Sequence, residues 1–282
     1  MKIALIQEKQ NRLYDFKEPS QHFEKKELVK LQKQMIDQNL LLLKEASENL
    51  ADLAMTSEAV NFPGQPFRCQ DSPVTLVQET QDYILESCGK IAREGSMYVV
   101  VGMYRLEADG KLYNSAVVFD RAGKEIVCYH KNFLAGDEKK YLTPGQGFPI
   151  WDSEFGKIGI AICWDMQFPE TVRSYARQGA DLILCPSWGW EEVYGHARAY
   201  ENGIYVASAM AVPFNKGIEG KRTPSEIVSP DGRVLVRGVR TESGVLYGAI
   251  PNIRDCGDSR SLRIGDLEEW LDRQRIKEEY AL

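Results

Sequence analysis

Short apolar runs alternate along the chain with longer segments in which apolar residues recur three or four positions apart. Residues 3–6 form the first apolar run and read as a strand. Residues 8–26 turn polar, punctuated by Pro19 and Ser20. A connection this long is either a lid over a site or a solvated excursion, and composition alone leans to the excursion. Leu28, Leu31, Met35 and Leu42 then space as a helix over residues 24–50. Residues 51–60 read as a second strand carrying Glu58, closed by Pro63-Gly64. A helix over 74–94 follows, and then a nearly all-apolar central strand, 98–104. Strands 114–119 and 125–131 are joined by the turn Asp120-Arg121-Ala122-Gly123 and deliver Lys131 at the end of the second. Alternation sends His130 and Lys131 to opposite faces. A charged loop, 137–147, leads to strand 158–162, helix 169–178, strand 181–185 and a loop holding Trp188 and Trp190. Helix 196–202, strands 204–210, 225–228, 233–236 and 245–250, and a terminal helix at 267–277 complete the chain. Strand and helix alternate over the first two thirds, which predicts an α/β fold, and the last third is richer in hairpins.

Composition narrows the partners. The 282 residues are 43% hydrophobic and 27% charged, ordinary for a globular enzyme, and no internal repeat divides them. We expect one domain over 1–282, with 8–26 as a polar insertion and 251–282 as a C-terminal extension that offers an oligomer contact. A net charge of −6 disfavours nucleic acid. The start, MKIALIQ, is too short for a secretory apolar core, and no run reaches membrane-spanning length. The six cysteines form no C-x-x-C pair and read as mostly free thiols of a reducing, cytoplasmic compartment.

The chemistry concentrates in GKIGIAICWDMQFPE, residues 156–170. A buried strand ends at Cys163, and Pro169-Glu170 opens a helix soon after. Helical N–H groups nearby favour a thiolate at such a place, although an isolated cysteine is more often core. His22, His130 and His196 are the only histidines that could activate it. A carboxylate base with a lysine is the alternative, provided burial lifts the acid toward neutrality. A cation beside the reacting carbonyl is worth about 3 kcal/mol to the oxyanion. Glu58, Lys131 and Cys163 all fall at predicted strand ends, but position alone does not choose between the two schemes.

The motifs around these residues resemble those of the nitrilase superfamily, the carbon–nitrogen hydrolases. They are TSEAVNFPG around Glu58, YHKNFLAGDEKKYLTPG around Lys131 and GIAICWDMQFPE around Cys163. GADLILCPSWGW, RAYENGIYVASA and SPDGRVL add to the likeness, which spans residues 2 to about 250. The resemblance implies a four-layer α-β-β-α sandwich that associates as a homodimer or larger homo-oligomer, and no metal or organic cofactor. It implies Glu58 as general base, Lys131 as oxyanion cation, Cys163 as nucleophile and Glu138 as the acid that orients the lysine. The Trp164 backbone N–H is implied as a second oxyanion donor, and Trp188 is a candidate pocket wall. The implied reaction is hydrolysis of a small amide or N-carbamoyl compound through a Cys163 thioester. Acyl transfer, nitrile hydrolysis and a non-catalytic binding role are the alternatives.

Four departures bear on the substrate. Trp164-Asp165 follows the cysteine where nitrile-specific members carry Trp-Glu. Met166 and Gln167 stand where relatives acting on acidic substrates place arginine, so no bidentate carboxylate fork is evident there. CWD with FPE leans toward the carbamoyl-amine type. Pro224 precedes Ser225 where Gly-x-Ser is usual, and the 8–26 insertion is expected to cover part of the site. Arg198 and Glu201 read as a structural pair, Cys185 as core, and Asp165 as a cap for the helix at Pro169.

Overall fold

The computed structural model describes all but residues 16, 19–20, 65–70, 190–191, 216, 218–221, 255–256 and 281–282, and the side chains of 257–261 and 276–280. Trp190, Pro19, Ser20, Cys69 and Cys256 thus lie outside the described residues.

A period of two builds the layers. On β1 (Lys2–Gln7), Ile3 and Leu5 face one way and Ala4 and Ile6 the other. On β3 (Tyr98–Leu106), Val100 opposes Val99 and Val101; on β8 (Leu182–Ser187), Leu182 and Leu184 oppose Ile183 and Cys185. Ile3, Leu5, Val100, Leu182 and Leu184 meet in one core between two sheets. The opposite sets lie beneath helices: Ala4, Ile6, Val99 and Val101 with α1 (Lys25–Glu48) and α2 (Pro73–Gly95), and Ile183 and Cys185 with α3 (Pro169–Arg177) and α4 (Val193–Asn202). Strands apolar on both faces must be covered on both faces, and four layers result.

The first sheet runs β12 (Gly244–Ala249), β1, β2 (Leu53–Met55), β3, β4 (Leu112–Phe119) and β5 (Glu125–His130). The second runs β11 (Val234–Arg237), β10 (Glu226–Val228), β9 (Tyr205–Met210), β8, β7 (Lys157–Ile160) and β6 (Ile150–Asp152). In each, three central strands are parallel: β1, β2 and β3, and β7, β8 and β9. α2 illustrates the local control. Pro73 occupies its first turn, Ser72 Oγ accepts the Thr75 N–H at 3.3 Å, and Ser96 closes it at φ 49°. α5 (Gly257–Tyr280) packs on α3 and α4, where Arg177 pairs with Glu268.

Four expectations change. The strand at 51–60 pairs only over Leu53–Met55, because the Thr56 hydroxyl takes the Gly102 N–H at 2.9 Å and Ala59 turns left-handed at φ 58°. Among the described residues of 8–26 only part is a solvated excursion: Lys17, Glu18 and His22 are exposed, but Leu13, Tyr14 and Phe23 are buried, and Gln10 N–H donates to Val212 O at 2.9 Å. The short strand β6 had no apolar run to announce it. The terminal helix starts well before 267, at Gly257, and ends near the expected place, at Tyr280.

Candidate active site

Four segments converge beyond the strand ends. Glu58 stands on the turn after β2, and Lys131 follows β5. Glu138 lies on the 3₁₀ turn Gly136–Lys140, and Cys163 opens the 3₁₀ turn Cys163–Gln167 after β7. Glu58 reaches its position because Gly102 in β3 lacks a side chain. A Cβ there would lie 2.4 Å from Ser57 O and 3.0 Å from Glu58 Cα. Cys163 has φ 44°, a left-handed conformation that costs a non-glycine residue roughly 1–2 kcal/mol. Buried Arg198 holds the same turn from α4, donating from Nε to Met166 O and from Nη2 to Gln167 O, each at 3.0 Å, besides pairing with Glu201. Asp165 caps this turn rather than the helix at Pro169. Its Oδ2 accepts Ile162 N–H at 2.9 Å and Tyr129 O–H at 2.7 Å, and its Oδ1 accepts Phe133 N–H at 2.9 Å. The Cys163 turn is thereby tied to both flanks of Lys131.

Lys131, 1% exposed, lies between two acids. Its Nζ is 2.7 Å from Glu58 Oε1 and 2.9 Å from Glu138 Oε2. Asn114 Nδ2 donates to both acids, at 2.7 Å to Glu58 Oε1 and 2.8 Å to Glu138 Oε1. Trp188 N–H donates to Glu58 Oε2 at 2.9 Å, and Ala135 N–H to Glu138 Oε2 at 2.7 Å. Sequence reading missed Asn114. The signal was there: β4 pairs with β5 in a register that sets Asn114 opposite Lys131, a polar residue at the head of an apolar run.

The protonation states follow from this arrangement. Burial pushes the Glu58 carboxyl up, but the Lys131 ammonium and hydrogen bonds from Lys131, Cys163 and Asn114 outweigh it and hold the acid below its usual value. Burial opposes the Lys131 charge, but Glu58, Cys163 and Glu138 more than restore it. Burial and then the Glu58 charge push the Cys163 thiol up to about 12. The resting site therefore pairs carboxylate, ammonium and neutral thiol. This corrects both the expected thiolate and the expected upward drift of the base. At the thiol the Glu58 charge outweighs that of Lys131.

These groups line a cavity of about 420 Å³ with Tyr14, Phe62, Tyr104, Tyr141 and Trp188 as its aromatic walls. Glu58, Lys131, Glu138, Cys163 and Trp188 thus meet as expected, and Glu58 is not a solvent-facing acid. Tyr14 comes from the polar insertion, which thus contributes one residue to the cavity wall. The Trp164 side chain, 40% exposed, faces a neighbouring cavity bounded by Phe133, Lys139 and Phe168. Pro224 and the three histidines lie elsewhere; His130 stacks on Tyr113 at 4.1 Å, on the face opposite Lys131. Among the described residues, Cys88, Cys128, Cys163 and Cys185 are free thiols, Cys185 in the core.

The profile of the carbon-nitrogen hydrolase family matches residues 2–256. The chain belongs to that family, the nitrilase superfamily. It is 34% identical over 253 residues to a nitrilase of Pyrococcus abyssi, covering 85% of this chain and 89% of that one. It is 30% identical over 228 residues to the mouse omega-amidase NIT2, covering 74% and 80%. The NitN amidase of Nesterenkonia sp. AN1 shares the fold with a TM-score of 0.74 and 26% identity, covering 97% and 99%. A cysteine variant of that amidase, 25% identical with a TM-score of 0.73 over 97% and 96%, has been solved with butyramide bound. Among the described residues no helix is long and apolar enough to cross a membrane.

Proposed function

We propose that the protein hydrolyses the C–N bond of a small, uncharged primary amide, with Cys163 as nucleophile. The observation that carries this is the short Glu58–Lys131 contact, 2.7 Å, at the wall of the cavity that also holds Cys163. In the first half-reaction Sγ bonds to the amide carbon and its proton passes to Glu58. Since the thiol lies well above the acid, proton loss and attack are concerted, and no thiolate accumulates. Lys131 and the Trp164 N–H receive the developing oxyanion. Glu58 hands its proton to the departing nitrogen, ammonia leaves, and a thioester remains. Water then attacks the thioester, its proton passes through Glu58 back to Sγ, and the carboxylic acid is released. Glu138 and Asn114 keep Lys131 and Glu58 in place.

The walls support an apolar acyl group. Among the described residues five aromatic side chains border the cavity and no arginine does, and Lys131 is already held by two carboxylates. Arg222, the nearby guanidinium, lies over the Trp188 ring, its Cζ 3.2 Å from the ring centroid, and donates to Trp188 O. A substrate carboxylate would meet Asp137, Glu138 and Glu58 instead of a bidentate fork. The butyramide held by the related amidase is a ligand of the proposed kind. Ammonia release from butyramide and benzamide, a dicarboxylate monoamide, a carbamoyl amine and a nitrile tests this. Turnover of the neutral amides, lost in Cys163→Ala and at least tenfold weaker for the acidic amide, is the expected result. Preference for the acidic amide or the nitrile overturns the substrate assignment, and turnover surviving in Cys163→Ala overturns the nucleophile.

A further inference from the structure

Glu8 is a buried acid that the reaction scheme leaves unused. It is 1% exposed, and among the described residues no lysine or arginine forms an ion pair with it. Besides its own backbone N–H, its side chain meets one donor among those residues. Ser57 Oγ lies 2.8 Å from Oε1 and 2.7 Å from Oε2. A buried carboxyl with no cation paired to it is held more cheaply as the neutral acid, and in that form it returns a hydrogen to Ser57 Oγ while Oγ donates to its other oxygen. Ser57 directly precedes Glu58. The same turn is held by Tyr14, whose hydroxyl donates to Ala59 O at 2.8 Å, and by Gly102 on the other side. The β1 end that bears Glu8 is itself fixed, because Val212 N–H donates to Glu8 O at 2.8 Å.

We propose that Glu8 is a protonated positioning residue that locks Ser57 and thereby fixes the turn carrying the catalytic base Glu58. The burial of Glu8 agrees with this, lifting its carboxyl to about 7 against the Ser57 hydrogen bond. Tyr14 is the titratable group between the two acids, and its hydroxyl is raised by burial, then by Glu8, then by Glu58. When Glu8 ionises, the Ser57 contact loses one of its two hydrogens and a second anion appears beneath the base. The turn then relaxes or admits water, and Cys163 faces more negative charge. The proposal uses the assignment of Glu58 as base, and its test needs no substrate, so failure of the amide reading leaves it intact.

Glu8→Gln tests this, because a carboxamide mimics the protonated acid with one donor and one acceptor. Thermal melting comes first. A carboxyl raised above its unfolded value stabilises the fold below about 4.5 and loses that contribution as pH rises through about 7. The melting temperature of Glu8→Gln should match the wild type at pH 5 and exceed it by a few degrees at pH 8.5. The second readout is the rate of Cys163 alkylation by iodoacetamide, followed by peptide mass spectrometry. The variant-to-wild-type ratio should be near one at pH 6 and severalfold at pH 8.5. A melting difference that is constant across this range overturns the protonated state, and a constant alkylation ratio overturns the link to the catalytic turn.

Discussion

Asn114 Nδ2 stands 2.7 Å from Glu58 Oε1, and the same nitrogen stands 2.8 Å from Glu138 Oε1. One amide therefore bridges two carboxylates that share a buried ammonium. The cross-strand placement of Asn114 against Lys131 makes this bridge a product of sheet register. Hydrogen bonds to charged groups contribute about 1.5–3 kcal/mol. Asn114→Ala should lower kcat by roughly 10- to 100-fold on that basis, with KM changed less. Loss of a donor that favours ionised Glu58 should also move the acid limb of the kcat/KM profile to higher pH. A pH profile left in place, with only the amplitude reduced, would show that Asn114 acts through packing alone.

Glu58 and Cys163 make opposite demands on each other. The acid is held low chiefly because Lys131 outweighs its burial, and its charge in turn pushes the thiol to about 12. Glu58→Gln removes the base and the anion together and leaves the Lys131 ammonium facing the thiol. Turnover should fall by at least about 10²–10⁴-fold, the usual contribution of a general base. Alkylation of Cys163 by iodoacetamide at pH 7.5 should become faster in the same variant, because the cation now favours the thiolate. The two assays must move in opposite directions. Alkylation slowed by the substitution would mean that Glu58 stabilises the thiolate, and the concerted scheme would be wrong.

The layers and three of the four site acids and bases were legible from the chain for a simple reason. Strands buried on both faces give continuous apolar runs, and polar residues at their ends stand out against them. Cys163, Lys131 and Glu58 have that signature, but so do many polar residues, and it is the motif likeness that singles out these three together with Glu138. Asn114 escaped because the strand expected from the sequence, 114–119, opens on it, where a polar residue is ordinary, and its meaning depends on pairing with β5. Tyr14 escaped because it sits on a three-residue turn within a polar stretch, and no periodicity marks a residue buried by tertiary contact alone. The protonation states escaped for a different reason. They are set by the distance between Glu58, Lys131 and Cys163, and a sequence gives order along the chain but not separation in space. Asp165 was misplaced for the same cause: its neighbours in sequence suggested the helix at Pro169, whereas its hydrogen-bond donors come from Tyr129, Phe133 and Ile162.

Asp165 offers a test of how that scaffold holds the nucleophile. Its carboxyl is buried and accepts two backbone N–H groups and one phenol, joining the Cys163 turn to the segment around Lys131. Asp165→Asn preserves the shape but can turn an N–H toward one of these donors. A buried donor left unmatched costs about 1–3 kcal/mol, so the variant should be less stable by that order. The deficit should depend on pH. Burial raises the Asp165 carboxyl to about 6, against hydrogen bonds that lower it. An acid raised above its unfolded value contributes stability that is full below about 3.8 and is lost as pH rises through about 6. The wild type is thus penalised at neutral pH by a contribution that the asparagine variant lacks, on the order of 2–3 kcal/mol. Urea unfolding at pH 4.5 and pH 7.5 should show the larger deficit at the lower pH. A deficit that grows toward pH 7.5 would place the ionised carboxylate, rather than the acid, as the form the fold prefers.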